Sequence, residues 1–231
     1  INETSNKLIS HLNYKSIETN KYLICFTPEA FLQLINAFSS MFNARSIIDG
    51  LSLMNEESIG NQISVSNLNI SDEGLHPENV GAFSFDGEGT PTQNIDLIKS
   101  GILTNLIHSE ATARRFGVKP TGHAGLGAKV SVSPDWLVVG KSKTVQDKDT
   151  SLDIKTTLRE YILIDELSAL HSGVKASQGS FSLPFDGWIV NDAKKISIEA
   201  ATVAGDILKV LNSIVRIESQ QIVTHQGISP Y

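Results

Sequence analysis

Apolar positions along this chain follow two spacings, and the changes from one to the other mark its elements. In "TPEAFLQLINAFSSMF", Phe31, Leu34, Ile35, Phe38, Met41 and Phe42 recur three and four residues apart, which lines one face of a helix. Thr27 can cap the free backbone N–H groups at its start, and Pro28 suits the first helical position, where no N–H is needed. "SEATARRFG" predicts a short helix opened by Ser109 and closed by Gly117. "DILKVLNSIVRI" predicts a third, with Asp206 as N-cap and Ile207, Leu208, Leu211, Ile214 and Val215 facing inward.

Elsewhere the period falls to two or vanishes. "YLICF" (Tyr22 to Phe26) and "YILIDEL" (Tyr161 to Leu167) are continuous apolar runs, the second of the kind buried on both faces of a sheet. "NQISVSNLNI" alternates at Ile63 and Val65, then changes phase at Leu68 and Ile70, which predicts a strand with a bulge or bend. "NIDLIKSGILTNLIH" predicts a hairpin turning at Lys99-Ser100-Gly101. "GSFSLPFDGWIVNDAKKISIEA" predicts two or three strands, with Ile196 and Ile198 alternating against Ser197 and Glu199 as at a half-exposed sheet edge. Strands outnumber helices and no regular strand–helix–strand alternation appears. The class is α+β, a mainly antiparallel β-sheet or barrel-like domain with a few amphipathic helices. The polar stretch "GKSKTVQDKDTS" (Gly140 to Ser151) predicts an exposed loop and not a domain boundary, so residues 1–231 are expected to form one domain.

Composition narrows the function classes. With 40% hydrophobic and 19% charged residues and a formal net charge of −6, the chain has no lysine or arginine block to track phosphates. Nucleic acid is therefore not the expected partner. No apolar run approaches the ~20 residues of a membrane span, and no charged-then-apolar signal segment opens the chain. A cytoplasmic protein without a membrane partner is the expectation. The single cysteine, Cys25, excludes an internal disulfide framework and any multi-cysteine metal site, and its apolar setting predicts a buried small hydrophobe. The chain opens with Ile1 and not methionine, which suggests part of a longer polypeptide.

Few local motifs carry chemistry. None of the six histidines lies one helical turn from another, so the two-histidine helix of a zinc peptidase is absent from the sequence. No G-x-S-x-G elbow occurs. "TGHAGLGAKV" is glycine-rich, but Lys129 precedes Val130 and not a Ser or Thr, so it is no phosphate loop. Its glycines more simply let backbone pass close to another segment. "DGEGTP" leaves two accounts open. Asp86 and Glu88 could act as acid and base, or they could be turn residues between Gly87, Gly89 and Pro91. Two carboxylates are too few for a hard cation, and alternate residues on an extended chain point to opposite faces.

Taken whole, "FDGEGTPTQNIDLIKSGILTNLIHSEATARRFGVKPTGHAG" resembles the signature of the TldD/PmbA family: an acidic turn ending in Pro, a hairpin, a helix and a TG-x-A loop. "LSALHSGVKASQGSFSLPFDGWIVNDAKKISIEAATVAGDILKVLNSI" is similar to the family's second block. "SALHSGVKASQGSFSLPFDGW" looks closer to the PmbA (TldE) branch, and to its cyanobacterial members, than to the TldD branch. The resemblance covers the family's C-terminal domain; the N-terminal domain is not in this sequence.

What the resemblance implies is a cytoplasmic subunit of a metallopeptidase that matures or degrades unfolded peptides, in a family also described as modulators of DNA gyrase. TldD-type and PmbA-type chains would pair, with zinc held by the TldD-type partner and no cofactor in this chain; a homodimer is the alternative. The family's cysteine ligand would follow the last helix, where this sequence reads "IVTHQGISPY", and Cys25 does not correspond to it. His225 is the one conceivable substitute there. No catalytic residue and no metal ligand is assigned. Asp86, Glu88, Gly122, His123, Gly179 and Ser180 are the candidates for lining a substrate channel. The readings that compete are an autonomous zinc metallopeptidase with its metal helix upstream, and a gyrase modulator acting by binding.

Overall fold

The computed structural model describes residues 14–142, 160–191 and 194–231. Most strands fall into two open sheets. The seven-stranded sheet runs β1 (Tyr14–Lys15), β12 (Lys194–Ile198), β11 (Ser180–Asn191), β9 (Glu160–Leu167) and β2 (Ile24–Phe26), with β10 (Val174–Lys175) and β13 (Ala201–Asp206) also paired to β11. The six-stranded sheet runs β14 (Gln221–Val223), β15 (Gly227–Pro230), β8 (Leu137–Lys141), β3 (Leu68–Glu73), β4 (Asn94–Lys99) and β5 (Ile102–Leu103). A two-residue ladder joins β6 (Ala124–Gly125) to β7 (Ser131–Val132). Pairing is antiparallel except for β1 with β12, β2 with β9 and β15 with β8. The α+β class holds, and no closed barrel forms among the described residues.

One helix contacts both sheets. α1 (Pro28–Ala37) packs against β9 of one sheet and β15 of the other. Its burial is accordingly broader than one stripe: Ala30, Leu32, Leu34 and Ile35 are all fully buried. Thr27 caps it as expected, its hydroxyl oxygen accepting from the Ala30 N–H at 3.2 Å, with Pro28 in the first turn. Regular α-helix stops at Ala37 and a 3₁₀ turn over Ser39–Phe42 continues the apolar pattern into the core. The main core joins Leu68, Ile70 and Leu97 of one sheet to Ile162, Ile164 and Leu183 of the other. On the far face of β9, Tyr161 and Leu163 bury with Cys25, Trp188 and Val190, so this strand is covered on both sides.

The remaining helices are α2 (Ala44–Ile48), α3 (Glu110–Phe116), α4 (Leu170–Gly173) and α5 (Ile207–Asn212). α3 has the expected ends, Ser109 accepting from Thr112 N and Gly117 left-handed at φ 67°. The β4–β5 hairpin turns through Ser100 and Gly101, at φ 49° and 81°. Among the described residues no helix is long and apolar enough to cross a membrane.

Three expectations need correction. Ile63 to Val65 are not strand: the N–H groups of Ile63 and Ser64 bond the Gly101 carbonyl and that of Val65 bonds Leu211, so their backbone serves the hairpin turn and α5. The strand begins at Leu68, and the phase change survives as a register shift between Ile70 and Ser71. β12 is not a free edge, because β1 pairs with it, Tyr14 opposite Ser197. α5 ends at Asn212, whose amide donates to the carbonyls of Ile63 and Leu208, and Val215 beyond it is 77% exposed where an inward position was expected. Asp206 does cap this helix, its carboxylate accepting from Lys209 N at 3.0 Å. The predicted loop from Gly140 begins in the last residues of β8, and from residue 143 onward it lies outside the described residues.

Candidate functional site

The "DGEG" corner is a tight turn, with Phe85 and Pro91 bridged across it. Asp86 accepts three backbone N–H groups: Glu88 and Thr90 on Oδ1 and Ala124 on Oδ2, each at 2.9 Å. Gly87 N–H in turn donates to the Ala124 carbonyl at 2.7 Å, and Gly89 takes φ 81°. Glu88, exposed, reaches away from the corner, and its Oε2 accepts the Glu110 N–H at 2.8 Å, at the free first turn of α3. There it meets both an orphan donor and the positive end of the helix dipole. The two carboxylates are thus held by different backbone amides and do not converge, as the alternation along an extended segment implies.

The 121–125 loop lies against this corner. Gly122 has φ 77°, and a Cβ there would strike the Pro91 carbonyl, so glycine is required twice over. Thr121 is saturated. Its N–H and hydroxyl both point at the His108 carbonyl at 3.2 Å, and its oxygen accepts the His108 N–H at 2.8 Å. His123 Nδ1 lies 2.9 Å from the same oxygen, and its Nε2 lies 3.5 Å from Asp72 Oδ2. That second distance is long for a hydrogen bond and fits a charge contact. Asp72, fully buried, accepts the N–H groups of Asp135 at 2.8 Å and Trp136 at 3.0 Å. Burial pulls the His123 pKa down, but the nearby carboxylate of Asp72, with the charge of Asp135 and the contact to Thr121, raises it above 6.5 on balance.

A hydroxyl, an imidazole and a carboxylate in sequence have the outline of a nucleophile relay. Here they cannot act as one, because Thr121 is buried and both side chains of the His123–Asp72 pair are 0% exposed, so no substrate reaches them. The arrangement is a buried clamp. His108 beside it was not singled out from sequence. It is buried edge-on to Phe116 at 5.1 Å between ring centroids, and desolvation lowers its pKa to about 4. A lone histidine between "NLI" and "SEA" gives no signal of this.

The structure therefore gathers Asp86, Glu88, Gly122 and His123 into one corner. Gly179 and Ser180 stand apart, on the seven-stranded sheet. Gly179, at φ 73°, accepts the Ile207 N–H at the start of α5, and Ser180 opposes Asp206. Near them an apolar cleft of about 440 Å³ opens between the sheets, lined in part by Phe31, Phe181, Val203 and Tyr231. Cys25 also lines it, and burial pushes its thiol up to about 11, which keeps it protonated at neutral pH. His225 Nδ1 sits 3.0 Å from Glu29 at the surface. Among the described residues no three His, Cys, Asp or Glu side chains group so as to hold a metal. Around the corner, Phe83, Phe85 and Leu126 are each more than 60% exposed, an uncommon density of apolar side chains.

A family model described as the PmbA/TldA metallopeptidase C-terminal domain matches residues 19–231. The chain is 26% identical over 219 residues to "Metalloprotease PmbA" of Escherichia coli O157:H7, covering 93% of this chain and 45% of that protein. It thus spans less than half the length of that relative. Among solved structures it resembles a putative modulator of a DNA gyrase from Thermotoga maritima, at 27% identity and a TM-score of 0.82, over 94% of this chain and 49% of that one. It also shares the fold of TldE from Thermococcus kodakarensis, at 18% identity and a TM-score of 0.79, over 95% and 50% of the two chains.

Proposed function

The chain belongs to the PmbA/TldA metallopeptidase C-terminal domain family, and from that premise we propose that it serves a PmbA/TldE-type subunit of a cytoplasmic metallopeptidase complex acting on unfolded peptides. In this reading the subunit holds no metal of its own and completes a channel around the zinc of a TldD-type partner. The observation that carries it is the family match from residue 19 to 231, seconded by the PmbA name of the E. coli relative. Exposed Glu88 with exposed Phe83, Phe85 and Leu126 forms one wall of the channel, an apolar surface suited to extended peptide, while buried Gly122 and His123 support the corner from beneath and do not meet the peptide. Gly179 and Ser180 contribute a separate part of the wall beside the cleft.

Metal analysis of the full-length protein, purified alone and after mixing with a TldD-type partner, tests this. Zinc only in the mixture is expected. Zinc bound tightly by the protein alone would favour the second reading, an autonomous zinc metallopeptidase with its ligands upstream; the chain spans only 45% of a relative named as a metalloprotease. The name of the Thermotoga structure favours a third, a gyrase modulator acting by binding, which direct measurement of gyrase binding decides.

A further inference from the structure

Among the described residues β2 has a neighbouring strand on one side only. Ile24 and Phe26 stand opposite Ile162 and Ile164 of β9 in a parallel ladder. The bonds joining the strands run from Ile162 N–H to the Leu23 carbonyl and from Thr27 N–H to the Ile164 carbonyl, each at 2.9 Å. Leu23, Cys25 and Thr27 thus turn their backbone groups to β9, and the N–H and C=O of Ile24 and Phe26 turn the other way. Among the described residues nothing bonds these groups, apart from the Cys25 thiol 3.9 Å from the Phe26 carbonyl.

The apolar cleft of about 440 Å³ touches all five residues from Tyr22 to Phe26. Successive side chains of a strand point to opposite faces, so a cleft that meets them all runs along the strand's free edge. A second cavity shares Tyr22, Ile24, Val203 and Ala204 with it, so the groove continues past this edge. Donors and acceptors that open into an apolar groove match one class of ligand, an extended polypeptide. It supplies alternate N–H and C=O groups to the edge and side chains to the groove. An apolar small molecule would leave the backbone groups unpaired. Of the charged groups on the rim, Asp206 caps α5 and Arg216 pairs with Glu218 at 2.9 Å. Lys209 has no ion pair among the described residues, which favours an acidic residue in the ligand.

We propose that this cleft is a strand-addition site, in which an extended peptide with alternating apolar side chains and an acidic residue pairs with Ile24 and Phe26 of β2. None of the Asp86 corner lines it. Binding there needs neither metal nor partner subunit, so the inference goes beyond the channel reading and stands independently of it.

Fluorescence anisotropy with the full-length protein alone, in chelator, tests it, with a labelled Ser-Val-Thr-Val-Thr-Val-Glu peptide as probe. Methylating one backbone nitrogen at a time should weaken binding at every second residue, about threefold to tenfold for each bond lost, and leave the residues between unchanged. Ile24→Pro removes an outward N–H that the β9 ladder does not use, and should weaken the peptide by a similar factor. Lys209→Glu should weaken it most at low salt. No binding at ~1 mM peptide, or losses on methylation without the two-residue period, overturns the proposal. The methylated series uses the unaltered protein and decides the matter even if Ile24→Pro fails to fold.

Discussion

Asp86 and Glu88 look alike in the sequence, yet they differ in what their loss removes. Asp86 holds three N–H groups, one of them from a separate loop. Asp86→Ala should therefore cost about 3 kcal/mol, since hydrogen bonds to a charged group contribute roughly 1.5–3 kcal/mol each and water replaces some of them; denaturant unfolding measures this. Glu88 holds one exposed N–H of α3, so Glu88→Gln should cost no more than about 1 kcal/mol. If the corner also walls the channel, that variant should still weaken peptide capture by the assembled complex. Unchanged capture would leave Glu88 a helix cap and nothing more. His108 makes a separate claim. Its lowered pKa of about 4 means the unfolded chain binds a proton that the folded chain refuses, so stability should fall as pH drops from 6.5 toward 4. His108→Leu should flatten that slope, worth about 3 kcal/mol at most, in unfolding curves taken across the range.

At the scale of elements, backbone geometry gives the sharpest test. Gly122→Ala must place a Cβ against the Pro91 carbonyl at φ 77°, and strain of this sort costs about 1–3 kcal/mol before the clash is counted. A lower melting temperature with faster amide exchange in both the 84–90 corner and the 121–125 loop is expected; unchanged exchange in the corner would mean the two segments are not coupled. Several elements were legible because their signals are local. Thr27-Pro28, Ser109 with Gly117, and Ser100-Gly101 each act within a few residues, and all ended or turned the chain where expected. Ile63 to Val65 and Val215 were misread because their fate is set by distant partners. The first spend their N–H groups on Gly101 and Leu211, and the second follows a helix that Asn212 closes by bonding Ile63. The site divides in the same way. The glycines and acids of the corner stood out as odd residue types, whereas Asp72 and His108 sit in ordinary strand and loop sequence and join the clamp only through folding.

For the molecule as a whole, two open sheets packed on a central helix leave two separate features: the exposed apolar corner, and the cleft between the sheets beside α5. A subunit that completes a channel for a partner needs such surfaces more than it needs a nucleophile of its own. The relay-like Thr121–His123–Asp72 chain, closed to solvent, supplies none. The central claim is that chemistry comes from the partner. Its most direct test is cleavage of an unstructured peptide by the full-length protein alone and after mixing with a TldD-type subunit. Cleavage only in the mixture, abolished by a chelator, is the predicted result; chelator-sensitive cleavage by the protein alone would contradict it.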